Sequence, residues 1–240
     1  LTQNPKHMNR LFHPLTLLAL CLCTGATAQT AAKTSATPSP KTAPAVVAPA
    51  PGDVLIPAPS DALVLFDGKD LAQWCRKDGS PAAWAVENGD MVVKAKSGNI
   101  QTKRNFGDCQ LHIEWSTPEN VSDTGQLRSN SGVFLQSLYE VQILDIYKQY
   151  APLVNVTKAP GQWNVYDIIY TAPRFNADGS LLSPARITLL QNGVLVQNNT
   201  TIKGTTFLEH PAYTAHGDAP IMLQDHGNAI RFRNIWIREL

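Results

Sequence analysis

The chain has 240 residues, 43% of them hydrophobic, with 20 Lys+Arg against 19 Asp+Glu. So even a balance, with no basic stripe interleaved with aromatics, argues against nucleic acid as a partner. The apolar share suits one globular core.

Leu1–His7 precede a start at Met8. Arg10 then supplies a positive start, Leu15–Cys23 an apolar stretch, and Ala26-Thr27-Ala28 a small-x-small cleavage site. Residues 1–28 therefore read as upstream residues plus a cleaved secretory signal. The apolar stretch is too short to span a bilayer, and Leu20 and Leu22 stand where a lipid-attachment motif needs a small residue. We expect a periplasmic or secreted protein with no stable membrane insertion after cleavage. Residues 29–60 are rich in Ala, Pro, Thr and Ser and are expected to form a disordered linker. Residues 61–240 are the expected folded domain. It keeps Cys75 and Cys109, which in an oxidising compartment are expected to pair as a disulfide, worth roughly 3–4 kcal/mol.

From Leu63 onward apolar and polar residues alternate with period two, broken by turns, as in an all-β sandwich or barrel. Asp67-Gly68 and Asn88-Gly89-Asp90 are turns. Strands are expected at Met91–Val93, Leu111–Trp115, Ser131–Gln136, Tyr139–Asp145 and Asn164–Tyr170. Arg186–Leu190 and Val194–Val196 flank Asn192-Gly193, a type I′ hairpin signal. Ile221–Gln224 and Ile230–Arg238 close the domain, the last completing the sandwich behind the cleft. The five Trp residues, at 74, 84, 115, 163 and 236, are read as core.

The alternation sorts the faces. Leu111, Ile113 and Trp115 oppose His112 and Glu114. Val133 and Leu135 oppose Asn130, Phe134 and Gln136. Tyr139, Val141 and Ile143 oppose Glu140 and Gln142, and Ile221 and Leu223 oppose Gln224 and His226. The polar faces are chosen from Glu, Asn, Gln and His rather than from Lys and Thr. Such side chains suit a polyhydroxylated ligand, because between them they donate and accept. Gln224-Asp225-His226-Gly227 places an amide, a carboxylate and an imidazole at one strand end, more than a turn requires.

The segment from Leu65-Phe66-Asp67-Gly68-Lys69-Asp70-Leu71 to Trp236-Ile237-Arg238 resembles the 3-keto-disaccharide hydrolase domain family of secreted bacterial proteins. The likeness runs through Phe106-Gly107-Asp108, Asn130-Ser131-Gly132-Val133-Phe134-Leu135, Tyr139-Glu140-Val141-Gln142-Ile143-Leu144-Asp145 and Trp163-Asn164-Val165-Tyr166-Asp167-Ile168. It implies a concanavalin-like jelly-roll β-sandwich of two antiparallel sheets and a hydrolase, or an elimination–hydration glycosidase, acting on 3-keto-glycosides. For that chemistry Glu114, Glu140 and His226 are the expected proton-transfer residues, with His226 or Glu140 as base. Asn130, Gln136, Gln142, Asp145, Gln224 and Asp225 are the expected substrate contacts. His226, Asp225, Glu140 and Asp145 also offer donors for a divalent metal, though no compact ligand motif such as His-Glu-x-x-His is present. The chain departs from the resemblance in a short segment after Tyr147 and in Gln136, where relatives often carry Arg. The competing reading is a non-catalytic carbohydrate-binding module, since fold alone does not decide.

Overall fold

The computed structural model describes residues 45–48, 56–120, 129–143, 152–206 and 212–240. The expected signal, most of the linker, Asp145 and the segment after Tyr147 lie outside them.

The described residues form strands and no helix. In chain order the strands are β1 (Leu63–Phe66), β2 (Trp74–Cys75), β3 (Ala85–Glu87), β4 (Asp90–Val92), β5 (Ile100–Phe106), β6 (Cys109–Ser116), β7 (Ser131–Leu135) and β8 (Tyr139–Ile143). They continue with β9 (Asn164–Thr171), β10 (Arg174–Phe175), β11 (Leu181–Ser183), β12 (Arg186–Gln191), β13 (Val194–Thr201), β14 (Ala219–Leu223) and β15 (Arg231–Glu239). An eight-stranded antiparallel sheet runs β13-β12-β9-β6-β15-β4-β3, with β1 also on β15, and a five-stranded sheet runs β2-β5-β14-β7-β8. The two form the expected all-β sandwich.

The period-two pattern works as expected in the interior. Leu111, Ile113 and Trp115 join Tyr166, Ile168, Tyr170, Phe232, Ile235 and Ile237 from the large sheet, and meet Ile100, Val133, Leu135, Tyr139, Val141, Ile143, Ile221 and Leu223 from the small one. Each such side chain contributes about 1.5–3 kcal/mol by leaving water.

Two hairpins differ in how their turns are made. Asn192 and Gly193, between β12 and β13, both have positive φ (53° and 77°), as the type I′ signal anticipates. The turn between β7 and β8 has the same sign at Gln136 (50°) and Ser137 (57°) without glycine, a conformation that needs outside support. Support comes from side chains: the Tyr170 hydroxyl donates to Gln136 Oε1 at 2.8 Å, Gln136 Nε2 donates to the Phe106 carbonyl, and Ser137 Oγ donates to the Pro220 carbonyl at 3.0 Å. Gln136 is only 2% exposed. The alternation placed it with Asn130 and Phe134, but β7 ends at Leu135 and the turn sends the amide inward. Its role is to hold the turn, not to meet a sugar.

The disulfide is also corrected, because both cysteines are free and buried. Cys75 lies directly opposite Gln101 in the small sheet, on the face away from the sandwich core. Cys109 sits within the core, opposite Tyr170 in the large sheet. Residues paired directly across a ladder share a face, so these thiols issue from different layers in directions that cannot join. Burial, with the Asp108 and Glu239 charges, pushes the Cys109 thiol up to about 12. We predict that the native domain resists a thiol-specific reagent at Cys75 and Cys109, and that both react once denaturant unfolds it. A domain with no reactive thiol after unfolding would restore the disulfide.

Parts of the expected linker lie against the domain. Val46 bridges to Asn155, and the Ile56 carbonyl accepts from Asn234 Nδ2 at 2.9 Å and Trp236 Nε1 at 3.3 Å.

Candidate functional site

The outer face of the five-stranded sheet gathers most of the expected site residues. Strand register builds it in rows. Cys75, Gln101, Met222, Phe134 and Glu140 lie opposite one another across β2, β5, β14, β7 and β8. The next row on that face holds Gly132 and Gln142, paired across β7 and β8, with Gln224 beside Gly132 through a bond from its amide to the Gly132 carbonyl at 3.0 Å. Gly132, having no side chain, is the low point between two glutamine amides, and Glu140 leans in from the first row.

The polar groups are partly pre-positioned. Gln142 Nε2 donates to Asn130 Oδ1 at 3.4 Å, and the buried Asn130 donates its backbone amide to Asn228 Oδ1 at 3.0 Å. The Glu140 amide donates to Thr206 Oγ1 at 2.8 Å. Gln224 Oε1 is buried with no hydrogen-bond partner among the described residues. A buried acceptor left unsatisfied is uncommon in a folded protein, and it leaves this oxygen open to a hydrogen-bond donor.

The corner after β14 carries His226, which is exposed. Asp225 braces that corner: its two oxygens accept from the Gly98 and Gly227 amides, both at 2.9 Å, and its own amide donates to Asn99 Oδ1. Gly227 takes the left-handed conformation the turn needs, at φ 91°.

Glu114 does not belong to this face. Its face assignment along the strand is right, but β6 lies in the other sheet, and the polar side of β6 is the large sheet's outer face. There Glu114 is 1% exposed and His112 0%. Arg233 Nε donates to Glu114 Oε2 at 2.7 Å and Asn234 Nδ2 to Oε1 at 2.8 Å. His112 Nδ1 meets Asp167 Oδ1 at 2.6 Å, and the imidazole stacks on Trp236 at 4.9 Å between centroids. Asn234, at φ 46°, is part of a bulge between Arg233 and Trp236 in the pairing with β6. An extra residue of this kind re-aims the side chains after it, which is why Trp236 packs on His112 rather than in the sandwich core. Trp163 likewise lies outside the core, over Arg233 at 4.0 Å from its ring centroid. Trp74, Trp84 and Trp115 are core as expected.

This buried network sets a pH dependence. Burial alone would depress the His112 pKa, but the Asp167 and Glu114 carboxylates outweigh it and raise it above the ordinary value. Burial alone would raise Glu114, but His112, Asn234 and Arg233 outweigh it and lower it. A raised imidazole adds stability that is complete below its unfolded pKa and lost as pH rises through the folded one. We predict that unfolding free energy declines with rising pH on the alkaline side of the ordinary histidine value, and that His112→Gln flattens this slope. An unchanged slope in the variant would show that another group titrates there.

Among the described residues no three His, Cys, Asp or Glu side chains gather as a metal site would need, and Asp145 lies outside them. Gln101, Met222 and Asn228 join the face without having been anticipated. The strand Ile100–Phe106 carries exposed Lys, Arg and Asn in its second half, which hid its alternation.

Residues 61–238 match the family of 3-keto-alpha-glucoside-1,2-lyase-like domains. A crystal structure of a "putative glycosyl hydrolase" from Parabacteroides distasonis is 46% identical with TM-score 0.74, covering 91% of this chain and all 100% of its own. Two more structures so named from that organism are 20% and 23% identical with TM-scores 0.56 and 0.50. They cover 75% of this chain and 94% and 99% of their own, and at that identity they show the fold alone. No curated protein matches.

Proposed function

The chain belongs to the family of 3-keto-alpha-glucoside-1,2-lyase-like domains, and on that premise we propose that it is a carbohydrate-active enzyme, acting outside the cytoplasm, that cleaves 3-keto-glycosides by elimination and hydration. The observation that carries this reading is the convergence of Glu140, Gln142 and Gln224 around Gly132 on one sheet face.

A ketone at C3 acidifies the hydrogen on C2. The Glu140 carboxylate takes that proton, and the electron pair is held as an enolate on the C3 oxygen. Gln142 and Gln224 carry the amide donors suited to that oxygen or to neighbouring hydroxyls, worth most where water is excluded. The pair then returns to form the C1–C2 double bond as the C1–O bond breaks, and the leaving oxygen receives a proton, for which His226 at the rim is the acid. Water adding back across C1–C2 completes a net hydrolysis. Glu114, buried in the other sheet, takes no part.

A carbohydrate-binding module would present an exposed aromatic platform. Phe134, the ring on this face among the described residues, is 3% exposed and offers none. The deciding experiment incubates the protein with a 3-keto-disaccharide and with its unoxidised parent and follows release of reducing sugar. We expect turnover of the oxidised sugar alone. Saturable binding of both without turnover would establish the module.

A further inference from the structure

We propose that Gly132 is a positioning residue for Glu140, holding its carboxylate in place by having no side chain; this rests on the reading of Glu140 as the base. Gly132 is the only glycine inside a strand among the described residues. Its backbone does not require glycine, because its φ lies outside the left-handed range. A glycine within a strand weakens the strand and marks a close approach by another group.

Here the approaching group is Glu140 itself. A Cβ at position 132 would lie 2.5 Å from Glu140 Oε1, 3.0 Å from Glu140 Cγ and 2.8 Å from Phe134 Cε2. The carboxylate thus lies across the β7 backbone, in a slot with Phe134 on one side and the row of Gln224 and Gln142 on the other. Phe134 is buried, so the ring cannot swing clear, and a methyl group at 132 must displace the carboxylate. A long acidic side chain has several staggered rotamers. The slot leaves room for this one, and a proton-transfer group misplaced by about 1 Å costs on the order of 10²-fold in rate.

The test uses four forms: wild type, Gly132→Ala, Glu140→Asp and the double variant. Gly132→Ala should lower kcat by about 10²-fold while leaving KM nearly unchanged. The double variant should turn over faster than Gly132→Ala, because the shorter acid clears the methyl group, a non-additivity that a merely structural glycine would not produce. Wild-type kcat in Gly132→Ala, or losses that simply multiply in the double variant, would overturn the proposal. Should Gly132→Ala not fold, Gly132→Ala with Phe134→Leu relieves the ring side of the clash and leaves the carboxylate side to be read in the same way. If wild type turns over no 3-keto-glycoside, the assignment of Glu140 as base fails by itself. The slot is then read from the carbon-13 carboxyl resonance of Glu140, assigned through Glu140→Gln. A shift in Gly132→Ala supports the slot and an unmoved resonance refutes it.

Discussion

Glu140→Gln lowers kcat on a 3-keto-disaccharide by about 10²–10⁴-fold, the usual contribution of a positioned acid or base, with little change in melting temperature. The amide fills the same space over Gly132, so packing around Phe134 is retained while the capacity to take the C2 proton is lost. A second measurement separates Glu140 from His226. An aglycone that departs without proton assistance, such as a nitrophenol, should restore much of the rate in His226→Ala and little in Glu140→Gln, since only the former supplies a proton to the leaving oxygen. Glu140→Gln turnover within threefold of wild type would remove Glu140 from the mechanism.

Glu114→Ala has an effect of comparable size on a different quantity. It strips Arg233 of its carboxylate and leaves the fully buried His112 with Asp167 alone of its two. Breaking a buried ion pair from one side costs about 3–5 kcal/mol, which for a domain of this size lowers Tm by about 10 °C. Activity per folded molecule should not change, because the network faces away from the small sheet. Thermal melts and active-site-normalised rates check both halves. A variant of native stability but no activity would return Glu114 to the catalytic site.

These two carboxylates show what could be read in the chain and what could not. Period-two alternation identified the inward residues of β6, β7, β8 and β14, because burial enforces that pattern within each strand. It also put Glu114 and Glu140 correctly on the side away from the core. Alternation carries no information about which sheet a strand enters, however, and β6 and β8 enter different ones. That is settled by pairing between distant segments, such as β6 with β15. Gln136 eluded the pattern for a local reason: the strand stops one residue earlier, at a turn stabilised by Tyr170 and Pro220 from remote parts of the chain. The cysteines misled because their number and compartment say nothing about the direction in which each thiol points. The polar corner at Gln224–Gly227 was legible as chemistry, but the division of labour within it, with Asp225 bracing the turn and His226 exposed, required the loop around Gly98 and Asn99.

The borders of the small sheet limit what can approach the face they enclose. Along β8 the Leu138 carbonyl accepts from the Thr206 amide and the Glu140 amide is taken by the Thr206 hydroxyl. Beyond β2, Cys75 bridges to Pro81 and the Arg76 amide bonds the Ser80 carbonyl. These bonds occupy main-chain groups on each flank, and an extended peptide adding there as a sixth strand, in the way strand-addition domains capture theirs, would have to displace them. A guest that leaves those bonds intact descends onto the side chains from above, which favours a compact, hydroxyl-bearing one over an extended strand.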